Sequence, residues 1–152
     1  MDRAEISAIV DRAIRRLVEE QPALLDLDLT ERALSHHLAV YIAQLMTADY
    51  NVDVEYNRHG GDPKRLNLPP RKALDREVRA TTVFPDILVH KRDSDERNLL
   101  VLELKKPGGD LAYDELKLRA FRQELGYKHT AHVILGRDPG GLFVQEVIWV
   151  DG

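Results

Sequence analysis

The chain has no cysteine, and that absence removes disulfides, thiolate-bound zinc, iron–sulfur clusters and thiol nucleophiles from consideration. Long apolar runs are missing too, since no stretch approaches the roughly 20 residues that a membrane-spanning helix needs. Aromatic residues make up only 6%, and the single tryptophan and five tyrosines form no row on which unpaired bases would stack. Internal repeats, heptad arrays and low-complexity tracts are absent. The opening Met1-Asp2-Arg3-Ala4-Glu5 begins an amphipathic segment rather than a signal peptide. The expectation is therefore a cytoplasmic protein with no membrane partner.

What is present fits one folded domain over residues 1–152, with an N-terminal helix in 1–22 and a core in 30–150. A length of 152 residues, 43% hydrophobic and 32% charged, is enough to bury well over half of the unfolded surface. The net charge of −4 argues against a general nucleic-acid coat protein. That average hides an asymmetry. Between Asn57 and Ala80 lie seven basic residues (Arg58, Lys64, Arg65, Arg71, Lys72, Arg76 and Arg79) against three acids. Screening confines surface charge to about 8 Å at physiological salt, so a basic segment on an acidic body can still hold a polyanion.

Ile6, Ile9, Val10, Ala13, Ile14, Leu17 and Val18 recur at spacings of three and four, which predicts an amphipathic helix stopped at Gln21-Pro22. A stripe of this kind, outside the core pattern, could pack in a homodimer. A second helix follows Thr30, a suitable N-cap, with Leu34, Leu38, Ile42 and Leu45 inward and Glu31 on the same face. Val52, Val54 and Tyr56 alternate with Asp53 and Glu55 as a strand. From Arg58 to Arg79 the prolines and weak periodicity predict a long loop, with a short helical turn over Lys72–Arg79. Its charges make it the candidate surface for phosphate contact, through Arg58, Lys64, Arg65, Arg71 and Lys72.

Two strands follow, Phe84-Pro85-Asp86-Ile87-Leu88-Val89-His90 and Leu99-Leu100-Val101-Leu102-Glu103-Leu104-Lys105-Lys106, joined by a polar turn of hairpin type. On the second, Glu103 and Lys105 share a face about 7 Å apart, while Leu102 and Leu104 point the other way. Carboxylates are rarely placed at the end of a core strand unless paired or liganded. Asp86 on the preceding strand is the natural companion, and the two acids with Lys105 would make a divalent-metal site. The plainer alternative is a structural ion pair between Glu103 and Lys105. A helix from Leu111 to Leu125, ended by Gly126, then leads to a strand at His129–Leu135, a right-handed crossover that makes this strand parallel to a neighbour. A last strand spans Leu142–Val150. His36-His37 and His129-x-x-His132 lack further ligands at zinc-site spacing.

The order helix with inward acid, strand, strand with Pro85-Asp86, strand with Glu103-Leu104-Lys105, helix, strand resembles the PD-(D/E)XK nuclease superfamily over roughly Thr30 to Leu135. The resemblance implies an α/β, restriction-endonuclease-like αβββαβ core with a mixed four- or five-stranded sheet flanked by helices. It also implies a magnesium- or manganese-dependent phosphodiesterase, usually cutting DNA. Asp86, Glu103 and the Leu104 carbonyl would be metal ligands, Lys105 a catalytic cation, and Glu31 a ligand or orienting acid. Tyr113-Asp114-Glu115-Leu116-Lys117-Leu118 resembles a helix from which some members turn a basic residue, here Lys117, toward the site. Asp114 and Glu115 read as a solvated face. Lys106 alternates off the active face, where it would meet either phosphate at the rim or simply water. Gln123-x-x-x-Tyr127 echoes the RecB-like branch, but Gly126 should end the helix first. The expected function is a metal-dependent nuclease hydrolysing DNA. The alternatives are a catalytically silent binding or regulatory module on the same fold, and a nuclease acting on RNA.

Overall fold

Each helix is fixed by local signals before packing is considered. Asp2 caps α1 (Arg3–Glu20): its carboxylate accepts the Glu5 N–H at 2.8 Å, and the Glu5 carboxylate accepts the Asp2 N–H at 2.7 Å, a reciprocal capping box. Pro22 opens a five-residue α2 (Pro22–Asp26), where proline's missing N–H costs nothing. Thr30 caps α3 (Glu31–Leu45) by accepting the Ala33 N–H at 3.3 Å, as its sequence position predicts. α4 (Ala112–Leu125) ends at Gly126, whose φ of 69° is the left-handed conformation that glycine adopts without strain.

The computed structural model describes residues 1–27, 30–56, 58–59, 62–68, 79–82 and 84–151, with 58–59, 62–63 and 79–82 described as backbone only. The strands are β1 (Asn51–Val54), β2 (Arg58–His59), β3 (Asp62–Pro63), β4 (Arg65–Leu68), β5 (Arg79–Thr82), β6 (Ile87–His90), β7 (Leu100–Lys105), β8 (His129–Arg137) and β9 (Phe143–Trp149). Five of them form one mixed sheet in the order β1-β6-β7-β8-β9, flanked by helices. Among the described residues of this sheet, only β7 and β8 pair in parallel, joined through α4. The expected hairpin and crossover are both present. Two small antiparallel pairs, β2 with β3 and β4 with β5, occupy the segment that composition had marked as a loop. The expected helical turn at 72–79 falls mostly outside the described residues.

Strand alternation sorts the core into two faces. Ile87, Val89, Leu100, Leu102, Leu104, Ala131, Val133 and Leu135 pack against α1 and α3. Leu88 and Val101 face Leu118 and Phe121 of α4 and Leu66 and Leu68 of β4. The stripe of α1 is therefore covered within the molecule: Ile6, Val10, Ala13, Ile14 and Leu17 are fully buried, and α1 packs on α3. This removes the reason for expecting that stripe to form a homodimer. Leu17→Ala is expected to cost about 3 kcal/mol, read as a lower urea midpoint at unchanged m-value. A change below about 1 kcal/mol would mean that α1 is only loosely docked.

Arg3 ties the chain's two ends together, through Asp151 at 2.8 Å and by stacking 4.6 Å from the Trp149 ring. Among the described residues, no helix is long and apolar enough to cross a membrane.

A candidate acidic site at the end of the central hairpin

The β6–β7 register pairs Ile87 with Leu102 and Leu88 with Val101, so one further step sets Asp86 opposite Glu103. Directly opposed residues on one face have Cβ atoms about 4.5–5.5 Å apart. Two carboxyls are thus placed side by side by the hairpin alone. Pro85 explains why the ladder stops there. It has no N–H to give β7, and the Leu104 N–H donates instead to the Asp86 carboxylate at 2.7 Å. Within an extended strand a residue's N–H and C=O face the same edge, so the Leu104 carbonyl is turned toward Asp86 as well.

Glu103 and Lys105 lie on the α4 face, and α4 answers both. The Lys117 ammonium is 2.8 Å from Glu103, and the Asp114 carboxylate is 2.6 Å from Lys105 and 3.9 Å from Lys117. Glu103, Asp114 and Lys117 are buried, Glu103 only 3% exposed, and Lys105 is half-buried. The sequence alternative of a Glu103–Lys105 pair is replaced by two pairs that cross to the helix. Glu31 stands at the rim from the other face, where its carboxylate accepts the Lys106 N–H at 3.3 Å.

The electrostatics follow from burial. Burial pushes the Asp86 carboxyl up, aided by the Glu31 charge and opposed by the Leu104 N–H, Lys117 and a hydrogen bond with Glu103. Burial also pushes Glu103 well above the carboxylate range. Lys117 opposes that rise, and the neighbouring Asp86 charge adds to it. For Lys105 burial works against the charge, but the hydrogen bond and charge of Asp114, with Glu31 and Glu103 behind it, outweigh burial and hold the ammonium above its usual range. These neighbours therefore favour the charged form of Lys105.

A direct prediction concerns Asp86→Asn. The amide oxygen keeps the Leu104 N–H bond, while the charge beside Glu103 and Glu31 is lost. The metal-free Tm is expected to rise by about 2–4 °C, equivalent to about 1 kcal/mol at this chain length. A lower Tm would show that the two carboxyls do not repel.

Of the expected site residues, the fold brings Asp86, Glu103 and Lys105 to one end of the hairpin, with Glu31 at its rim. It does not converge them into a cage. Among the described residues, no three His, Cys, Asp or Glu side chains come together as a metal-binding group. Lys117 does turn toward the site, as one reading of α4 expected. Asp114 corrects the sequence reading, since it is 4% exposed rather than solvated. Its signal was present: Asp114, Lys117 and Phe121 fall at spacings of three and four, on the helix face that Leu118 and Leu125 also bury. His132, read from the sequence as a surface or packing histidine, is 1% exposed and so packs in the interior.

The expected phosphate contacts divide. Arg65 is exposed, and Lys106 is half-buried at the end of β7. Lys64 is a correction: it is 3% exposed, its ammonium lies 5.0 Å from the Tyr56 ring centroid, and burial pulls its pKa down to about 8. It belongs to the interior rather than to a phosphate-binding surface. Arg71 and Lys72 lie outside the described residues, as does the side chain of Arg58. Compared with models of known protein families, with curated proteins and with solved structures, the chain finds no match.

Proposed function

We propose that this chain is a divalent-metal-dependent phosphodiesterase of the PD-(D/E)XK type, acting on DNA. The observation that carries the reading is the cross-strand pair of Asp86 and Glu103 with Lys105 two residues further along the same strand. The order α3-β1-β6-β7-α4-β8 supports it, as the sequence of elements that such a core requires. The donor set fits magnesium, which is usually held by one or two carboxylates and keeps several waters. Asp86, Glu103 and the Leu104 carbonyl would hold the ion, with Glu31 acting on it from the rim. When bound, the ion supplies charge neutralisation at the phosphoryl oxygens and acidifies a water.

The chain's own residues supply the rest. Lys105, held charged by its neighbours, places a fixed cation where negative charge grows on phosphorus-bound oxygens. Lys106 and Arg65 offer the DNA backbone further positive charge. The burial that raises both carboxyls also excludes water that would weaken these interactions.

Calorimetric titration with magnesium and with manganese, alongside cleavage of supercoiled plasmid, tests the reading. Metal uptake and EDTA-sensitive nicking are expected, and Asp86→Ala is expected to fold but lose both. Nicking that persists in Asp86→Ala would overturn the assignment. One observation favours a second reading, a silent binding module on this fold: Glu103 and Lys105 are already engaged by Lys117 and Asp114. Absence of both metal uptake and cleavage in the unaltered protein selects that reading.

A further inference from the structure

β9 closes the central sheet on one side, with no strand beyond it among the described residues. The Val150 N–H donates to the Thr130 carbonyl at 2.9 Å, and the Asp138 N–H to the Leu142 carbonyl at 2.8 Å, so the even-numbered residues of this segment direct their backbone groups to β8. The N–H and C=O groups of Phe143, Gln145, Val147 and Trp149 therefore face outward.

Folded proteins ordinarily blunt such an edge with lysine, proline, a bulge or a very short strand. β9 has none of these. It runs seven residues in unbroken one-to-one register with β8, and residues 142–150 contain one charge, Glu146, and no proline, glycine or lysine. The opposite edge is managed: β1 is four residues long, Glu55 turns away at a φ of 52°, and the Asn51 side chain accepts the Arg92 N–H at 3.1 Å. At the start of β9, Leu142 and Phe143 are 71% and 38% exposed.

Outward groups pair with outward groups, so an antiparallel second copy must set odd-numbered residues against odd-numbered ones. Full overlap would oppose Glu146 to Glu146 of the other copy, an unfavourable like-charge pair. Centring the pair on Gln145 removes that clash. Phe143 then lies opposite Val147 of the second copy, Leu142 opposite Ile148 and Glu146 opposite Val144, so both exposed apolar side chains gain apolar neighbours. Centring on Val147 would instead set Phe143 against Asp151. The segment is thus complementary to itself about a two-fold axis through Gln145, the arrangement of a closed dimer.

We propose that β9 is a self-association edge, along which two copies of this chain pair antiparallel, centred on Gln145, to join their five-stranded sheets into one. Both free β9 edges are consumed, so assembly stops at two. The contact offers about six backbone hydrogen bonds and a few apolar side chains, which places it among small, concentration-dependent interfaces. The acids at the end of β7 take no part in it.

Sedimentation equilibrium of the full chain over about a hundredfold range of concentration is expected to show monomer passing to dimer and no larger species. Gln145→Pro removes the central outward N–H and leaves the bonds to β8 in place, and Phe143→Lys puts a positive charge on the edge. Each is expected to weaken the dimer at least about tenfold, while the Tm of dilute protein moves by less than about 3 °C. The chain has no cysteine, so an introduced one reports a single contact. Under mild oxidation Gln145→Cys, whose two Cα atoms would lie about 5.5 Å apart, is expected to form a covalent dimer at least about ten times faster than Glu146→Cys. A chain that stays monomeric throughout overturns the proposal and leaves the edge to a strand of another protein. Association that both substitutions leave unchanged overturns it too, as does Glu146→Cys cross-linking as fast as Gln145→Cys.

Discussion

Lys105→Met is expected to lower the rate of magnesium-dependent DNA cleavage by about 10²–10³-fold, with the DNA dissociation constant changed by no more than about twofold. The magnitude is that of removing one preorganised group that stabilises charge in a water-poor site. Binding is spared because contacts along a DNA backbone are numerous and any single lysine is a small part of them. The split between rate and affinity is the informative part, since a lysine used only to attract DNA would change affinity and leave the chemical step alone. Single-turnover cleavage with saturating DNA separates the two. A variant that cleaves at the full rate would show that the ammonium does not reach the reacting phosphate. The expectation follows from the site itself: Asp114, Glu31 and Glu103 together keep Lys105 charged.

Lys117→Met is expected to be the most damaging substitution for folding, at about 3–5 kcal/mol at pH 8, because it strips the cation from a carboxylate that is 3% exposed. The loss should shrink as the pH falls. Glu103 has its folded pKa raised above its unfolded value, so between those two values the folded state holds the extra proton. Stability from this group is therefore greatest at acid pH and declines as the pH rises through that window. Removing Lys117 takes away the influence that lowers the Glu103 pKa, which extends the window upward and steepens the decline. Urea midpoints from pH 5 to pH 8 should diverge between the variant and the unaltered protein as the pH rises. Parallel curves would mean that Lys117 contributes by packing its methylenes alone.

These two lysines also show what the sequence could convey and where it stopped. The hairpin was legible because alternation and the Pro85-Asp86 break lie within one local segment, and the register then follows with little freedom. Glu31 was legible for a similar reason, since helical spacing carries it onto the face of Leu34 and Leu38. The partners of the site were not legible, because pairing Glu103 with Lys117 and Lys105 with Asp114 depends on how α4 rotates against the sheet. Composition also misled at Asp114, where a polar residue was assigned to solvent although its neighbours at three- and four-residue spacing are buried. Lys64 shows the same limit in reverse. A lysine in a charged segment reads as surface, yet Lys64 is buried with its ammonium over the ring of Tyr56. The small strands β2 to β5 escaped because two- to four-residue ladders have too few positions for any period to register.

The Arg3 clasp on Asp151 and Trp149 brings both extremities of the chain to the end of the sheet where β8 begins, whereas the acids cluster where β7 finishes. An affinity handle or a surface linkage attached at either extremity would therefore hold the molecule by its heel. Immobilised through residue 1 or residue 151, the protein would turn the β7 end of its central hairpin away from the support.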